Sequence, residues 1–536
     1  MDALAQRLER LNRIGIALST ERDLPRLLEM ILDGARTLTE ADGGTLYSVA
    51  GDRLEFELLV TESLGVRMGG RTGPVRGFEP IPLYDGDGRP RRDTVVACCV
   101  HQGEVIAIDD AYAAAGYDFE GTRRFDARTG YRTRSLLTVP LRNHEGEIIG
   151  VLQLINRRGP DGTPVPFGDT DRQLAESLAS QAAVALTNRR LIEALENLFR
   201  AFIRLIATAI DEKSPHTGAH CRRIPVLTMM LAEAADRAGH GPFAGFHLGP
   251  ADRVELETAA WLHDCGKITT PEYVIDKATK LEALFDRIEL VDTRFEVLKR
   301  DAEIEYWKAL AAAGDDAAAR AAAEARLRAT LAELDGERDF LRRVNIGAER
   351  MSAADQERVR RIAERRWRNP DGEWLELLTP EEVYNLTVPR GTLTPEERRM
   401  IEHHMVATIR MLESLPFPKH LARVPEYAGG HHERMDGRGY PRGLRGDQMS
   451  LPARMMAIAD VFEALSAADR PYKRGKPLSE CLAIMARMVR DGHLDPDLFE
   501  LFVREGVWRR YAEAHLAPEQ IDAVDEAAVL AAARAA

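Results

Sequence analysis

Apolar residues recur at helical spacing near the start of the chain and alternate with polar residues further along. Spacings of three and four residues predict two helices, over 2–18 and 23–38. Alternation predicts three strands, at 53–60, 135–141 and 147–155. Helices that bracket an antiparallel sheet are typical of an α+β sensory module. We therefore predict a multidomain protein that begins with an N-terminal helix at 1–19 and an α+β domain at 20–170.

A single long helix is predicted from Asp171 onward. Its apolar residues repeat at intervals of four and three: Leu191, Leu195, Leu198, Phe202 and Leu205. This heptad spacing is typical of coiled coils, although an ordinary amphipathic core helix has the same pattern. Because the helix lies between two modules, we interpret 171–205 as a signalling linker helix through which the protein forms a homodimer.

Composition and charge narrow the class of protein. With 45% hydrophobic and 30% charged residues, the 536-residue chain is long enough for two to four globular domains. It contains no apolar run long enough for a membrane span, no secretory signal, and only five scattered cysteines, which fits a cytoplasmic protein. The net charge of −13 argues against binding to nucleic-acid polymers, but not against a small anionic substrate at a metal site.

Two stretches in the second half of the chain concentrate metal-binding and charged side chains. His431-His432-Glu433 offers two neighbouring imidazoles and a carboxylate, followed by a run that cannot continue a helix, Asp436-Gly437-Arg438-Gly439-Tyr440-Pro441. Upstream, His263-Asp264-Cys265-Gly266-Lys267 places an imidazole, a carboxylate and an ammonium within five residues. Together the stretches resemble the HD-GYP family of metal-dependent phosphodiesterases, matching its motifs as HHExxDGxGYP and HDxGK.

This resemblance implies an all-α catalytic domain of the HD superfamily, which we place at 206–505. It implies seven metal ligands: His220, His263, Asp264, His404, His431, His432 and Asp460. In the family Asp264 occupies the position of the carboxylate that bridges two metals, and Lys267 is the second catalytic candidate. His216 is four residues before His220, so a helix would place both on one face; it stands where members with three metals carry Glu, which leaves two or three metals open.

Further site residues follow from the same resemblance. The expected substrate-binding residues are Lys267, Arg470 and Lys473, and the expected motif-loop residues are Glu433, Asp436, Gly437, Gly439, Tyr440 and Pro441. Imidazoles and carboxylates without thiolates suit iron, manganese, zinc or cobalt better than calcium. We expect two or three divalent ions, iron or manganese. Of the neighbours His403 and His404, we expect His403 to be exposed.

The chain departs from the family between its two motifs. About 110 residues, 281–391, stand where the family has a short connection. Helical spacing on both sides of Gly314-Asp315-Asp316 predicts a helical hairpin, and Asn369-Pro370-Asp371-Gly372 predicts a turn. This helical insertion could cover the pocket, dimerise or recruit a partner. A helical tail is predicted at 506–536.

The first module resembles a GAF domain in Thr138-Val139-Pro140-Leu141 and in the run from Gly150 to Asn156. Asn156-Arg157, Phe167 and Asp171-Arg172 partly match the signature of cyclic-nucleotide-binding GAF domains, with Arg in place of Lys and of Glu. Ligand binding and a purely structural role therefore both stay open, and any GAF ligand is unknown. We expect Cys98 and Cys99 to be small apolar residues of a strand at 94–100.

The resemblance implies a phosphodiesterase that hydrolyses cyclic di-GMP to pGpG or GMP under the control of the GAF-like domain. One alternative substrate is another cyclic dinucleotide, such as cyclic GMP-AMP. A second alternative is a nucleotide-sensing scaffold without turnover, which would contact a signalling partner through the Gly-Tyr-Pro loop or the insertion. No membrane partner is expected.

Overall fold

The computed structural model describes residues 2–213, 220–347, 350–467 and 475–534. The chain forms two compact units, Met1–Phe199 and Arg200–Ala536. The boundary between them falls within one helix, Asp169–Lys213, so each unit is described by itself. Among the described residues, no helix combines the length and the apolar character needed to cross a bilayer.

The first unit is an antiparallel sheet with helices on both faces. Its helices are α1 (Asp2–Thr20), α2 (Leu24–Thr39), α3 (Val95–Gln102), α4 (Glu120–Thr129) and the start of α5 (Asp169–Lys213). Its strands are β1 (Ala41–Ala50), β2 (Arg53–Thr61), β3 (Val66–Gly69), β4 (Ile81–Pro82), β5 (Ile106–Ile108), β6 (Leu136–Arg142), β7 (Ile148–Arg158) and β8 (Pro164–Val165). The strand order is β3-β2-β1-β7-β6-β5, with β4 paired to β2 and β8 to β7.

Side-chain alternation along the strands divides the core of this unit in two. In β1, Leu46 packs with the apolar faces of α1, α2 and α5, whereas the next residue, Tyr47, packs on the other side with α3. The helices predicted at 2–18 and 23–38 and the strands predicted at 53–60, 135–141 and 147–155 are all present, within a few residues of their predicted bounds. The α+β fold class of this unit is confirmed.

The predicted strand at 94–100 is wrong, because this segment is the helix α3. The β-branched pair Val95-Val96 favours a strand. Gly103, however, ends a helix here in the left-handed conformation (φ 68°), which is strained for residues with a side chain. The expected burial of Cys98 and Cys99 is nevertheless correct, and both are free thiols on the helix.

The second unit is mostly helical. Its helices are α6 (His220–Ala238), α7 (Pro250–Leu262), α8 (Glu272–Ile275), α9 (Ile288–Ala313), α10 (Ala317–Asn345), α11 (Ala353–Ala363), α12 (Pro380–Leu386), α13 (Pro395–Glu413), α14 (Val424–Gly429), α15 (Leu451–Ser466), α16 (Leu478–Arg490), α17 (Pro496–Arg504), α18 (Val507–His515) and α19 (Glu526–Arg534). One small hairpin, β9 (Arg366–Arg368) and β10 (Trp374–Glu376), completes the described elements.

The segment predicted as an insertion contains a helical hairpin with its own core. Helices α9 and α10 run antiparallel on either side of Gly314, and ion pairs such as Lys299–Asp335 (2.5 Å) join them. Their buried side chains, among them Phe295 and Leu341, pack with Leu377. The predicted turn at Asn369-Pro370-Asp371-Gly372 is confirmed, and it connects the two short strands β9 and β10.

Two buried lysines bind the C-terminal end of this segment, and one of them, Lys277, also binds the helix α13. The Nζ of Lys277 donates to Asn385 Oδ1 (3.0 Å) and to Glu397 Oε1 (2.8 Å), and the Nζ of Lys280 donates to the carbonyls of Leu386 and Val388 (both 2.8 Å). Glu397 also caps α13, because its carboxylate accepts from the backbone of Thr394. The base of the insertion and the start of α13 therefore share one hydrogen-bond network.

Candidate metal centre

The seven predicted ligands converge in the second unit, although they come from five separate segments. His220 begins α6, His263 and Asp264 follow the end of α7, and His404 lies within α13. His431 and His432 follow α14, and Asp460 lies on α15. His403, the neighbour of His404, is exposed as predicted. His216, Arg470 and Lys473 lie outside the described residues.

Asp264 is shared by two groups of potential ligands. One group is His220, His263 and Asp264, and the other is Asp264, His404, His431 and His432; within each, one ligand atom per residue lies within 4.8 Å of the others. Asp264 Oδ2 is 3.4 Å from His220 Nε2 and 3.2 Å from His263 Nε2. Asp264 Oδ1 is 3.3 Å from His404 Nε2 and 4.0 Å from His431 Nε2. The two carboxylate oxygens thus face different pairs of imidazoles.

Asp460 faces both groups as well. Its Oδ1 is 3.2 Å from His220 Nε2 and 3.9 Å from His263 Nε2, and its Oδ2 is 3.9 Å from His432 Nδ1. A carboxylate on an otherwise apolar helix requires cationic or hydrogen-bonding partners. Asp460 finds them in this cluster.

Backbone carbonyls orient three of the imidazoles. The Nδ1–H of His263 donates to Ala260 O (2.8 Å), and that of His431 donates to Ala428 O (2.6 Å). His404 makes the same contact with the carbonyl of Ile401, three residues before it. Each bond leaves Nε2 as the lone-pair nitrogen and directs it into the cluster, as metal coordination requires.

A tight backbone contact brings the Asp264 segment against α13. The Gly266 N–H donates to Thr408 Oγ1 (2.9 Å), and a Cβ on Gly266 would lie 2.0 Å from the carbonyl oxygen of His404. Only glycine allows this approach. His263 and Asp264 lie between two elements: α7 ends at Leu262, and Cys265–Thr269 is a 3-10 turn. This turn brings Lys267 Nζ to 2.6 Å from Asp264 Oδ2.

Three buried atoms of the cluster make no hydrogen bond within the described residues: Asp264 Oδ1, His404 Nε2 and His431 Nε2. A buried polar atom without a partner is costly, and three that point at one another are more so. Imidazole nitrogens and carboxylate oxygens are ligands of iron, manganese and zinc. The residues therefore fit a divalent metal centre.

At three of the proposed ligands, burial and nearby charges favour the protonation states that metal binding needs. Burial, together with the nearby His263, lowers the pKa of His431 to about 4, and burial also lowers the pKa of His432. Burial alone would raise the pKa of Asp264, but Lys267 and His263 bring it well below its ordinary value. The imidazoles of His431 and His432 are thus neutral and Asp264 is ionised near neutral pH.

The Gly-Tyr-Pro loop forms one wall of the centre. Glu433 is buried, and its carboxylate accepts from the backbone N–H groups of Arg442 and Leu444, both at 2.8 Å. The ring of Tyr440 lies 4.9 Å from that of His432, and the Tyr440 N–H donates to the His432 carbonyl (3.2 Å). A Cβ on Gly439 would lie 2.4 Å from Glu433 Cα. Glu433 therefore holds the loop against the histidine pair.

The other motif-loop residues shape the turn itself. Asp436 accepts from Arg438 N (2.9 Å) and from Arg434 Nη2 (3.0 Å). Gly437 has φ +79°, which disfavours residues with a side chain, and the bond between Tyr440 and Pro441 is cis.

Sequence reasoning missed Glu463 and Arg223. The Nδ1–H of His220 donates to Glu463 Oε2, and Arg223 Nε donates to Glu463 Oε1 (2.7 Å). Glu463 is three residues after Asp460, so both carboxylates lie on one side of α15. This spacing was the available signal, but a Glu on a helix is usually solvated.

The first unit contains a separate cavity of about 940 Å³. It lies between the sheet and helices α3 and α4, with aromatic side chains from Tyr47, Phe56, Phe78, Phe125 and Tyr131. The partial GAF signature lies elsewhere: Arg157 Nε pairs with Asp171 Oδ2 at 2.7 Å, and Asn156 Nδ2 donates to Arg132 O (2.8 Å). Those residues stabilise the domain and do not line the cavity.

Comparison with known proteins identifies two domains. Residues 23–186 match the GAF domain family and residues 376–498 match the HD domain family. Both predicted domain types are thus confirmed.

Three relatives of the chain are phosphodiesterases by name. The chain is 43% identical over 128 residues to the 3'3'-cGAMP-specific phosphodiesterase 1 of Vibrio cholerae, covering 24% of this chain and 28% of that protein. It is 42% identical over 114 residues to a cyclic di-GMP phosphodiesterase of Pseudomonas aeruginosa, covering 21% and 26%. A cyclic di-GMP phosphodiesterase of Thermotoga maritima is 37% identical over 115 residues, covering 21% and 30%. The matched segments therefore span less than a third of each relative.

Proposed function

We propose that this chain, which contains a GAF domain and an HD domain, is a metal-dependent phosphodiesterase for a cyclic dinucleotide. The observation that carries the proposal is the position of Asp264, whose two oxygens face two groups of imidazoles around buried atoms without hydrogen bonds. The HD family match and the names of the relatives support the same reaction class.

The proposed metal ligands are the seven converging residues His220, His263, Asp264, His404, His431, His432 and Asp460. Their nitrogen and oxygen donors suit two iron or manganese ions, and Asp264, which belongs to both groups of side chains, would help to hold each of them. When bound, such a pair polarises the phosphodiester and lowers the pKa of the attacking water. A third ion would involve His216.

The open side of the cluster is marked by its more exposed members. The side chains of Lys267, His432 and Asp460 are 25%, 24% and 13% exposed, whereas those of His263, His404 and His431 are almost fully buried. The Lys267 ammonium is one of the groups on this side, at 2.6 Å from Asp264 Oδ2. We propose that Lys267 neutralises a phosphate oxygen as charge develops on it.

The proposed reaction is hydrolysis of one phosphodiester bond. The oxygen of water attacks phosphorus, the bond from phosphorus to the ribose 3'-oxygen breaks, and that oxygen leaves as a hydroxyl after taking up a proton. Cyclic di-GMP would give linear pGpG, and a second hydrolysis would give GMP. Arg470 and Lys473 remain proposed phosphate contacts.

Cyclic di-GMP is the proposed substrate and 3',3'-cyclic GMP-AMP the alternative, because relatives of both names match this chain at similar identity. The test is chromatography of each dinucleotide after incubation with manganese-loaded protein, beside Asp264→Ala. A linear product from the wild type alone would establish the reaction, and the faster substrate would be the preferred one. Tight binding of intact dinucleotide without turnover would instead support a sensing scaffold, which the large insertion would suit.

We further propose that the GAF domain regulates this activity in a homodimer. Five apolar residues at heptad spacing on α5 are each more than half exposed in the single chain: Leu191, Leu195, Leu198, Phe202 and Leu205. A second copy of the helix is the partner that such spacing fits. The 940 Å³ cavity of the GAF domain is the proposed place for a regulating ligand.

A further inference from the structure

Glu463 is a buried carboxylate that contacts the metal centre only through a histidine. Its side chain on α15 is 2% exposed. One oxygen accepts the Nδ1–H of His220 and the other accepts from Arg223 Nε at 2.7 Å. His220 and Arg223 are three residues apart on α6, so the carboxylate spans the first turn of that helix.

His220 differs from the other buried histidines of the cluster in how it is oriented. The Nδ1 atoms of His263, His404 and His431 contact neutral backbone carbonyls, whereas the Nδ1 of His220 contacts a carboxylate. A carboxylate is the stronger acceptor, and it makes the imidazole a more basic ligand as well as fixing its ring. The Nε2 of His220 is thereby held 3.4 Å from Asp264 Oδ2 and 3.2 Å from Asp460 Oδ1.

The Arg223 guanidinium fixes the Glu463 carboxylate. Two of its nitrogens approach the same oxygen, Glu463 Oε1, with Nε at 2.7 Å and Nη2 at 2.5 Å. Removing the charge of Glu463 would leave the ring of His220 with a weaker acceptor. It would also leave the guanidinium beside a neutral group in a buried site, which is unfavourable.

We propose that Glu463 is a positioning residue for metal binding, which orients His220 and strengthens it as a ligand, with Arg223 fixing the carboxylate. The inference rests on the proposed metal centre and adds two residues to it. Outer partners of this kind, when substituted, cost about 10- to 100-fold in metal affinity. Glu463 does not touch the substrate, so its effect is on metal retention.

The test is a manganese titration of the metal-free full chain, with free Mn²⁺ followed by electron paramagnetic resonance. Glu463→Gln keeps the shape and removes the charge, and we expect it to weaken Mn²⁺ binding about 10- to 100-fold. Glu463→Asp keeps the charge and should recover part of this loss. Excess Mn²⁺ should restore hydrolysis by Glu463→Gln, which a general defect in folding would not allow.

Glu255→Gln is the matched control. Glu255 is 2% exposed and accepts from Arg423 N (2.7 Å) and Nε (2.9 Å), so it is also a buried carboxylate on an arginine, but with no histidine among these partners. Unchanged Mn²⁺ affinity in Glu463→Gln, or an equal loss in Glu255→Gln, would overturn the inference while the wild type still bound metal. A wild type that binds no Mn²⁺ would overturn the proposed function, and this inference with it.

Discussion

Asp264 contacts two different pairs of imidazoles and a lysine through a single carboxylate. Its oxygens face different pairs of imidazoles, and Oδ2 also accepts from the Lys267 ammonium at 2.6 Å. It is buried, so its charge needs a compensating cation nearby, and the Lys267 ammonium supplies one. Metal ions would supply the remaining positive charge, which explains why Asp264 Oδ1 has no hydrogen bond within the described residues.

Lys267→Met should separate catalysis from metal binding. The variant removes the ammonium proposed to neutralise a phosphate oxygen but leaves all seven proposed ligands in place. We expect metal content to be unchanged and kcat to fall about 10²- to 10³-fold, as when one stabilising donor is removed from a transition state. Metal analysis and steady-state kinetics measure the two effects. Wild-type kcat in Lys267→Met, matching that of the exposed-lysine control Lys419→Met, would contradict the assigned role.

The proposed metal ligands could be predicted from the sequence, whereas the residues that hold these ligands in place could not. The motifs HDxGK and HHExxDGxGYP contain residue types with few common uses together, so they indicated four of the seven proposed ligands directly. Glu463 and Arg223 carry no such signature, because one more Glu and Arg on helices are usually solvated. Only the packing of α6 against α15 reveals that these two meet beside His220.

At the scale of elements, the tightest constraint on the site is the contact between the 3-10 turn at Cys265–Thr269 and α13. Gly266→Ala would place a methyl group 2.0 Å from His404 O and 2.6 Å from Thr408 N. Because both neighbours are backbone atoms, α13 must shift, at a cost of about 1–3 kcal/mol. We expect a lower urea midpoint and weaker metal binding, since His404 moves with the helix.

Gly336→Ala is the control for that experiment. Gly336 lies inside α10, and a Cβ there meets nothing within 4 Å. Alanine should stabilise the helix by about 0.5–1 kcal/mol and leave metal binding unchanged. Similar metal binding by Gly266→Ala and Gly336→Ala would show that the close contact does not position His404.

Lys280, at the base of the insertion, makes the stability of the protein depend on pH. Burial lowers its pKa from 10.5 to about 8. Between pH 8 and 10.5, Lys280 is protonated in the unfolded chain but not in the folded chain, so it makes the free energy of unfolding increase with pH. The urea midpoint of the wild type minus that of Lys280→Met should therefore increase from pH 8 to 10.5. A difference that stays flat or falls over this range would contradict the lowered pKa.

Element types were predictable where one signal dominated. Heptad spacing gave α5, and Gly314-Asp315-Asp316 gave the break between α9 and α10. Two signals competed at 94–100, where β-branched residues favoured a strand but Gly103 ended a helix. The hairpin of β9 and β10 was missed because strands of three residues are too short to show alternation.

At the scale of the whole molecule, the two compact units are connected through α5, and the exposed apolar residues on that helix predict a dimer. Leu195 and Phe202 are 66% and 54% exposed, and both belong to the heptad series. We expect light scattering to give twice the mass of the chain for the wild type. Leu195→Glu combined with Phe202→Glu should give monomers, because like charges would meet in the seam.

The control for the dimer is Asn197→Glu. Asn197 is exposed on the same helix but outside the heptad series, so this variant should remain dimeric. A monomeric wild type, or equal masses for all three proteins, would contradict the proposed dimer.

The bounds proposed for the linker helix, the catalytic domain and the insertion remain predictions, since the compact units divide only at Phe199.

The most direct test of the central claim measures hydrolysis of cyclic di-GMP against the number of metal ions bound per chain. The protein is stripped with a chelator and reloaded anaerobically with Mn²⁺ or Fe²⁺. We expect no hydrolysis without metal and activity that appears as the second equivalent binds, because two ions are needed around Asp264. Asp264→Asn should lose both metal and activity. Hydrolysis by metal-free protein, or by Asp264→Asn at the wild-type rate, would contradict the account.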